Sequence, residues 1–214
     1  MVHRLLVLLG AAVAALALGA SASALTVHVR VEGATKTIFG AAEPELDPFA
    51  GTLVADDGSP HELAQATALG ALEAAGRQGE FFYGLKAVSF GLFVDRIGRY
   101  GSEGASGWVY KVNGVLPSVG AADYVLRDGD HVLWYYATFG PDGGPKTLDL
   151  VARPGCFQAV LEDDAGKSTN ARDVIFLADG RRVRSPSGEF CPTGKWRRLR
   201  ATKAGAVRSR AVLG

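Results

Sequence analysis

The chain has 214 residues, with 23 Lys+Arg against 22 Asp+Glu and a formal net charge of +1. That balance excludes a uniformly basic nucleic-acid binder. Its two cysteines have no neighbouring histidine pattern, which excludes a structural zinc site.

His3 and Arg4 form a short basic start, an apolar run follows from Leu5 to Leu18, and small residues close the segment at Ala22-Ser23-Ala24. This pattern reads as a secretory signal over residues 1–24, with cleavage after Ala24. The apolar run is shorter than the roughly 20 residues a bilayer span needs. No cysteine stands at the cleavage point and no second stretch approaches spanning length. The expected product is secreted, extracellular and without a membrane span.

Leu25 to Glu32 alternates apolar and polar residues, the mark of a half-buried strand. Gly33-Ala34 turns it into a second strand, Thr35 to Phe39, and an irregular acidic stretch follows from Ala41 to Gly58. Ser59, Pro60 and Glu62 match an N-cap, a first helical position and a capping-box acid. They predict a helix in which Leu63, Ala66, Leu69, Leu72 and Ala75 form an apolar stripe, ended by Gly76 and Gly79. Beyond it the pattern is strand and turn: Phe81–Tyr83, Val88–Ile97, Trp108–Val112, an Asn113-Gly114 turn, Val115–Gly120, Tyr124–Leu126, the turn Asp128-Gly129-Asp130, and His131–Thr138. Asn-Gly between apolar runs is a strong hairpin signal. One helix on a curved, mostly antiparallel sheet predicts an α+β fold of the β-grasp kind.

Gly140 to Pro145 is Gly/Pro-rich, and the charge changes sign across it. Residues 25–146 hold 9 Lys+Arg against 15 Asp+Glu, a net of −6, and residues 147–214 hold 13 against 7, a net of +6. Composition therefore divides the chain into residues 25–139, a linker over 140–146, and residues 147–214. In the last part Thr147–Val151, Phe157–Leu161, Asp173–Leu177 and Arg197–Thr202 read as short strands between turns, the pattern of a small all-β sandwich. Cys156 and Cys191 are expected to form a disulfide, as an even pair in an exported chain does.

The string Gly107-Trp108-Val109-Tyr110-Lys111-Val112-Asn113-Gly114 comes first in an ordered set of motifs. Gly120-Ala121-Ala122-Asp123-Tyr124, then Asp128-Gly129-Asp130 and Trp134, complete it. Together they resemble the secreted bacterial modules of unknown function grouped with the transcobalamin C-terminal domain, over residues 25–139. The resemblance implies a ligand surface made by Trp108, Tyr110, Asn113, Val115, Leu116, Pro117, Val119 and Tyr124, with cobalamin or another corrinoid as the candidate ligand. In the vertebrate relatives an α/α barrel holds the other side of the ligand, and this chain has none. Trp108 and Tyr110 share a strand face, so a core role for the pair is the competing reading. Asp179-Gly180-Arg181-Arg182-Val183, Ser187-Gly188 and Leu199 to Gly205 resemble prealbumin-like repeats of the carboxypeptidase-regulatory type, stalk and spacer domains of secreted proteins.

Arg181, Arg182, Arg184, Arg197, Arg198, Arg200, Arg208 and Arg210 crowd the last stretch, where Glu189 is the one acid. Three uses fit them: adhesion to an anionic polymer or cell-surface component, solvated strand faces, or contact with the acidic first half. His28, His61 and His131 have no nucleophile or carboxylate at a recognisable motif spacing, and no P-loop, G-x-S-x-G or H-E-x-x-H occurs. The sequence predicts a non-catalytic binding protein without a cofactor or metal. Its expected partner is a small molecule or protein at the first module, or an anionic polymer at the second. It carries no signature of specific nucleic-acid recognition.

Overall fold

The computed structural model describes residues 25–89 and 91–214, so the signal read over residues 1–24 lies outside it. In chain order the first strands are β1 (Val27–Glu32), β2 (Thr37–Phe39), β3 (Glu45–Leu46), β4 (Gly51–Val54) and β5 (Pro60–Leu63). Helix α1 (Ala68–Gly79) follows, then β6 (Tyr83–Val88), β7 (Gly91–Ile97), β8 (Tyr100–Gly101), β9 (Ser106–Val112) and β10 (His131–Thr138). The second half holds β11 (Thr147–Arg153), β12 (Cys156–Glu162), β13 (Ser168–Asn170) and β14 (Val174–Ala178). It ends with β15 (Arg181–Ser185), β16 (Glu189–Phe190), β17 (Arg198–Thr202) and β18 (Val212–Leu213).

Among the described residues one 12-residue helix stands beside 18 strands, which makes the fold nearly all-β, not the α+β arrangement expected. The difference lies in residues 41–63. Asp57 Oδ1 accepts hydrogen bonds from the Ser59 amide (2.9 Å) and hydroxyl (2.6 Å), and Gly58 sits at φ +84°. Ser59 is thereby spent on a tight turn, and Pro60–Leu63 pairs with β4 as a hairpin. The helix starts eight residues later than expected, with Thr67 as N-cap accepting from the Gly70 amide at 3.1 Å. Leu69, Leu72 and Ala75 still form its buried stripe. Gly70 is required by close approach, since a Cβ there would lie 2.1 Å from the Phe49 carbonyl oxygen.

The central sheet runs β2-β1-β10-β9, with β3 also paired to β1; β1 and β10 are parallel. Side chains alternate across it with period two. Val27, Val29 and Val31 of β1, Val132 and Trp134 of β10, and Trp108, Tyr110 and Val112 of β9 join the α1 core. The opposite face carries Leu133, Tyr135 and Ala137 with Val109, and Val207 of the second half packs onto them. Both faces of the sheet are therefore covered. The second half closes on its own core of Leu148, Leu150, Ala159, Val174, Phe176, Leu199 and Ala201. Its two four-stranded sheets, β11-β12-β13 with β16 and β15-β14-β17-β18, share that core. Cys156 and Cys191 are disulfide-bonded.

Candidate functional site

The residues singled out around the Asn113-Gly114 turn serve mostly structural ends. Trp108 is 6% exposed and Tyr110 8%. Trp108 Nε1 donates to the Tyr100 carbonyl (2.8 Å), and its ring meets Tyr100 and Tyr136 edge-on. Tyr110 stacks on Trp134 with centroids 5.3 Å apart, and its hydroxyl donates to the Val119 carbonyl at 2.7 Å. Burial, then the neighbouring Tyr124 and Asp123, pushes its phenol up to about 12. Neither ring presents a face to solvent.

Asn113 and Gly114 both have positive φ, 50° and 81°, as a two-residue hairpin turn demands. Asn113 locks this turn to the next one, donating to Asp130 Oδ1 (2.8 Å) and accepting from the His131 amide (2.9 Å). Residues 115–120, expected as a strand, leave the sheet after one bridge of Val115 to Val112. Val115 bridges Ala165, and the Leu116 amide donates to the Asp164 carbonyl at 2.9 Å, so the second half holds the segment. Leu116, Pro117 and Tyr124 are half-buried, while Val115 and Val119 remain exposed.

The polar face of β1 bears the charges that join the halves. Glu32, 1% exposed, accepts hydrogen bonds from Arg200, from Arg208 and from the Thr37 hydroxyl, with Arg30 at 3.4 Å. Arg30 also bonds Glu43 (2.9 Å) and the Arg208 carbonyl. Burial brings the Arg200 guanidinium down to about 10, against the pull of Glu32. Glu43 takes a second hydrogen bond from His131 Nδ1 at 2.7 Å, and the His131 ring stacks on His28 with centroids 4.4 Å apart. Burial alone would raise the Glu43 carboxyl, but the His131 hydrogen bond and the charges of Arg30 and Arg210 hold it at about 2. Lys111, fully buried, donates to the Asp163 carbonyl at 2.8 Å, with Asp164 at 3.3 Å. Sequence patterning did not single out Glu32, Glu43 or Lys111; the opposed net charges of the two halves were the signal that could have.

Next to this network a cavity of about 280 Å³ opens between the halves, lined by residues of β1, β9, β10, β11 and β12 together with Arg210.

The eight arginines divide. Arg200, Arg208 and Arg210 turn inward to Glu32, Glu43 and Asp149. Arg181, Arg182, Arg184, Arg197 and Arg198 stay exposed. In the register of β14 with β15 and β17, Leu177 lies between Arg182 and Arg200, and Ile175 between Arg184 and Thr202. Leu199 and Ala201 face the core, so Arg198 shares the opposite face with Arg182, Arg184 and the inward-turned Arg200. The result is a basic face over two half-buried aliphatic side chains.

His61 Nε2 lies 2.9 Å from the Ser59 hydroxyl, but that hydroxyl also bonds Asp57, and the trio belongs to the β4–β5 turn. The bonded pair Cys156 and Cys191 with Glu189 is the only group of three side chains at metal-ligand spacing among the described residues, and disulfide sulfurs are not thiolate ligands.

Residues 65–138, from just before α1 to the end of β10, carry the strand, turn and aromatic residues described above. They form a DUF4430 domain. DUF4430 is a domain of unknown function, and the match supports no specific transcobalamin-like family. The DUF4430 match takes in β9, β10 and the Asn113-Gly114 turn but leaves out β1 and the second half that cover its sheet. No curated protein matches the chain.

Proposed function

We propose that the chain is an exported, non-catalytic binding protein that attaches to an anionic polymer through the basic face of its second half. The observation that supports this reading is the division of the arginines. Arg200 and Arg208 are spent on Glu32 and Arg210 on Asp149, while Arg182, Arg184 and Arg198 stay exposed on the sheet face that also carries half-buried Ile175 and Leu177. Guanidinium forks suit bidentate contacts to phosphate or carboxylate, and the aliphatic row between them can take the uncharged parts of a repeating unit. A cell-surface component of wall-polymer or phosphate character fits this chemistry. The test is titration of polyphosphate into the protein at rising salt. Neutralising several phosphates predicts that log K falls linearly with log salt, with a slope of about −2 or steeper. A flat slope, or no binding at low salt, removes the reading.

The resemblance to transcobalamin C-terminal domains suggests a second use, capture of a small ligand such as a corrinoid over residues 113–119. Exposed Val115 and Val119 favour it. Calorimetric titration with cobalamin and with cobinamide tests it: binding of either at micromolar level supports capture, and the absence of heat with both rejects it.

A further inference from the structure

We infer that the cavity between the two halves is a binding site for a small primary amine, its ammonium held by Glu162, Asp149 and Thr147. This inference stands apart from the polymer and corrinoid readings. Strands β11 and β12 set Thr147 directly opposite Glu162, and Asp149 follows two residues after Thr147 on the same side. Arg30, Lys111 and Leu133 of the central sheet line the cavity across from them.

The charged groups around the cavity are unequally satisfied. Arg30 is taken by Glu43, Glu32 and the Arg208 carbonyl. Lys111 is taken by the Asp163 carbonyl and Asp164, and Glu43 by Arg30 and His131. Three acceptors keep unfilled hydrogen-bonding capacity. Glu162 has only the Ser168 hydroxyl, at 3.3 Å. Asp149 Oδ1 is ion-paired with Arg210 Nε at 3.2 Å, but neither atom has an aligned hydrogen bond. Thr147 is 2% exposed, lines the cavity, and its Oγ1 has no partner. An unpartnered hydroxyl at that depth is uncommon and calls for an occupant.

The chemistry of the leftover set selects the occupant. A primary ammonium has three donors and no acceptor, which matches two carboxylates and a hydroxyl. Calcium takes six to eight oxygen ligands and magnesium a near-ideal octahedron. No third carboxylate joins Asp149 and Glu162 at metal-ligand spacing among the described residues. Burial, then Asp149 next to it, raises the Glu162 pKa against the pull of Ser168, Lys111 and Arg30, and a bound cation would offset the Asp149 charge. A cavity of about 280 Å³ falls just below the range of roughly 300–1,000 Å³ typical of drug-sized ligands. The occupant is thus an amine with a short body, resting against Leu133 and Leu148.

The test is calorimetric titration of residues 25–214 with ethanolamine, with choline, and with calcium chloride. Choline carries the same hydroxyethyl body on a nitrogen that has no N–H. The expected result is saturable 1:1 binding of ethanolamine, at least about tenfold tighter than choline, because charge-assisted hydrogen bonds are lost in the latter. Glu162→Gln should weaken ethanolamine by at least about tenfold, and shape-conserving Thr147→Val by about fivefold. Circular dichroism confirms that each variant folds; if Glu162→Gln does not, Thr147→Val carries the test. No heat with ethanolamine would mean a water-filled cavity and overturn the inference. Equal binding of choline, tighter binding of calcium, or ethanolamine binding untouched in the folded variants would overturn it too.

Discussion

Replacing Glu32 by Gln tests whether buried charge joins the two halves. The carboxylate is 1% exposed and faces the guanidiniums of Arg30, Arg200 and Arg208, whose side chains are 5%, 9% and 17% exposed. Glutamine keeps the volume but leaves those cations around a neutral amide. Arg30 retains Glu43, whereas Arg200 and Arg208 lose the one carboxylate partner they have among the described residues. Removing one member of a buried ion pair costs about 3–5 kcal/mol, mostly because the other stays desolvated. For a chain of this size each kcal/mol is about 2–4 °C in Tm, so Glu32→Gln should lower Tm by roughly 6–20 °C. Thermal and urea unfolding read the loss. A double-mutant cycle with Arg200→Met separates the pair from its surroundings, since the double variant should be less destabilised than the two singles added together. A loss below about 1 kcal/mol, the size of an exposed surface pair, would refute the reasoning.

Glu43 links stability to pH. Its folded pKa of about 2 lies below the ordinary 4.5, so its contribution is present above that ordinary value and lost as pH falls towards 2. The shift amounts to about 3 kcal/mol. Glu43→Gln should therefore flatten the acid limb of stability between about pH 5 and 2, and an unchanged limb would place that dependence elsewhere. Replacing Cys156 and Cys191 by alanine should cost about 3–4 kcal/mol for a loop of this length, read by urea unfolding against the wild type. Trp108→Ala should cost about 3–5 kcal/mol as a core truncation. Full stability with lost ligand binding would instead return Trp108 to a binding surface.

Much of the framework could be read from the sequence. The alternation of residues 25–32 gave β1, the Asn-Gly dipeptide gave the turn after β9, and the cysteine pair gave the bridge. The helix start could not be read because Ser59, Pro60 and Glu62 satisfy a capping box and a hairpin shoulder equally well. The Asp57-Gly58 turn decides between them. Period-two patterning is also blind to what covers a polar face: His28, Arg30 and Glu32 read the same against water as against a partner of opposite charge. The −6 and +6 nets were the available clue, and they did not say which arginines turn inward. The reading of the arginines as solvated strand faces caught β15 without bounds, because Arg181, Arg182 and Arg184 surround a single aliphatic, Val183. At the turn, residue types alone could not separate a ligand surface from a core. Trp108 and Tyr110 share the β9 face that meets α1, while Val115 makes a single bridge to Val112 before the chain turns away to exposed Val119.

The most direct test of the proposed function compares two arginine variants for retention on immobilised polyphosphate at low salt. Arg182→Gln, Arg184→Gln and Arg198→Gln combined should abolish retention while leaving Tm within a few degrees, because these side chains are exposed. Arg208→Gln, whose guanidinium is spent on Glu32, should lower Tm and leave the retention of the folded fraction nearly intact. Unchanged retention in the triple variant would contradict the account.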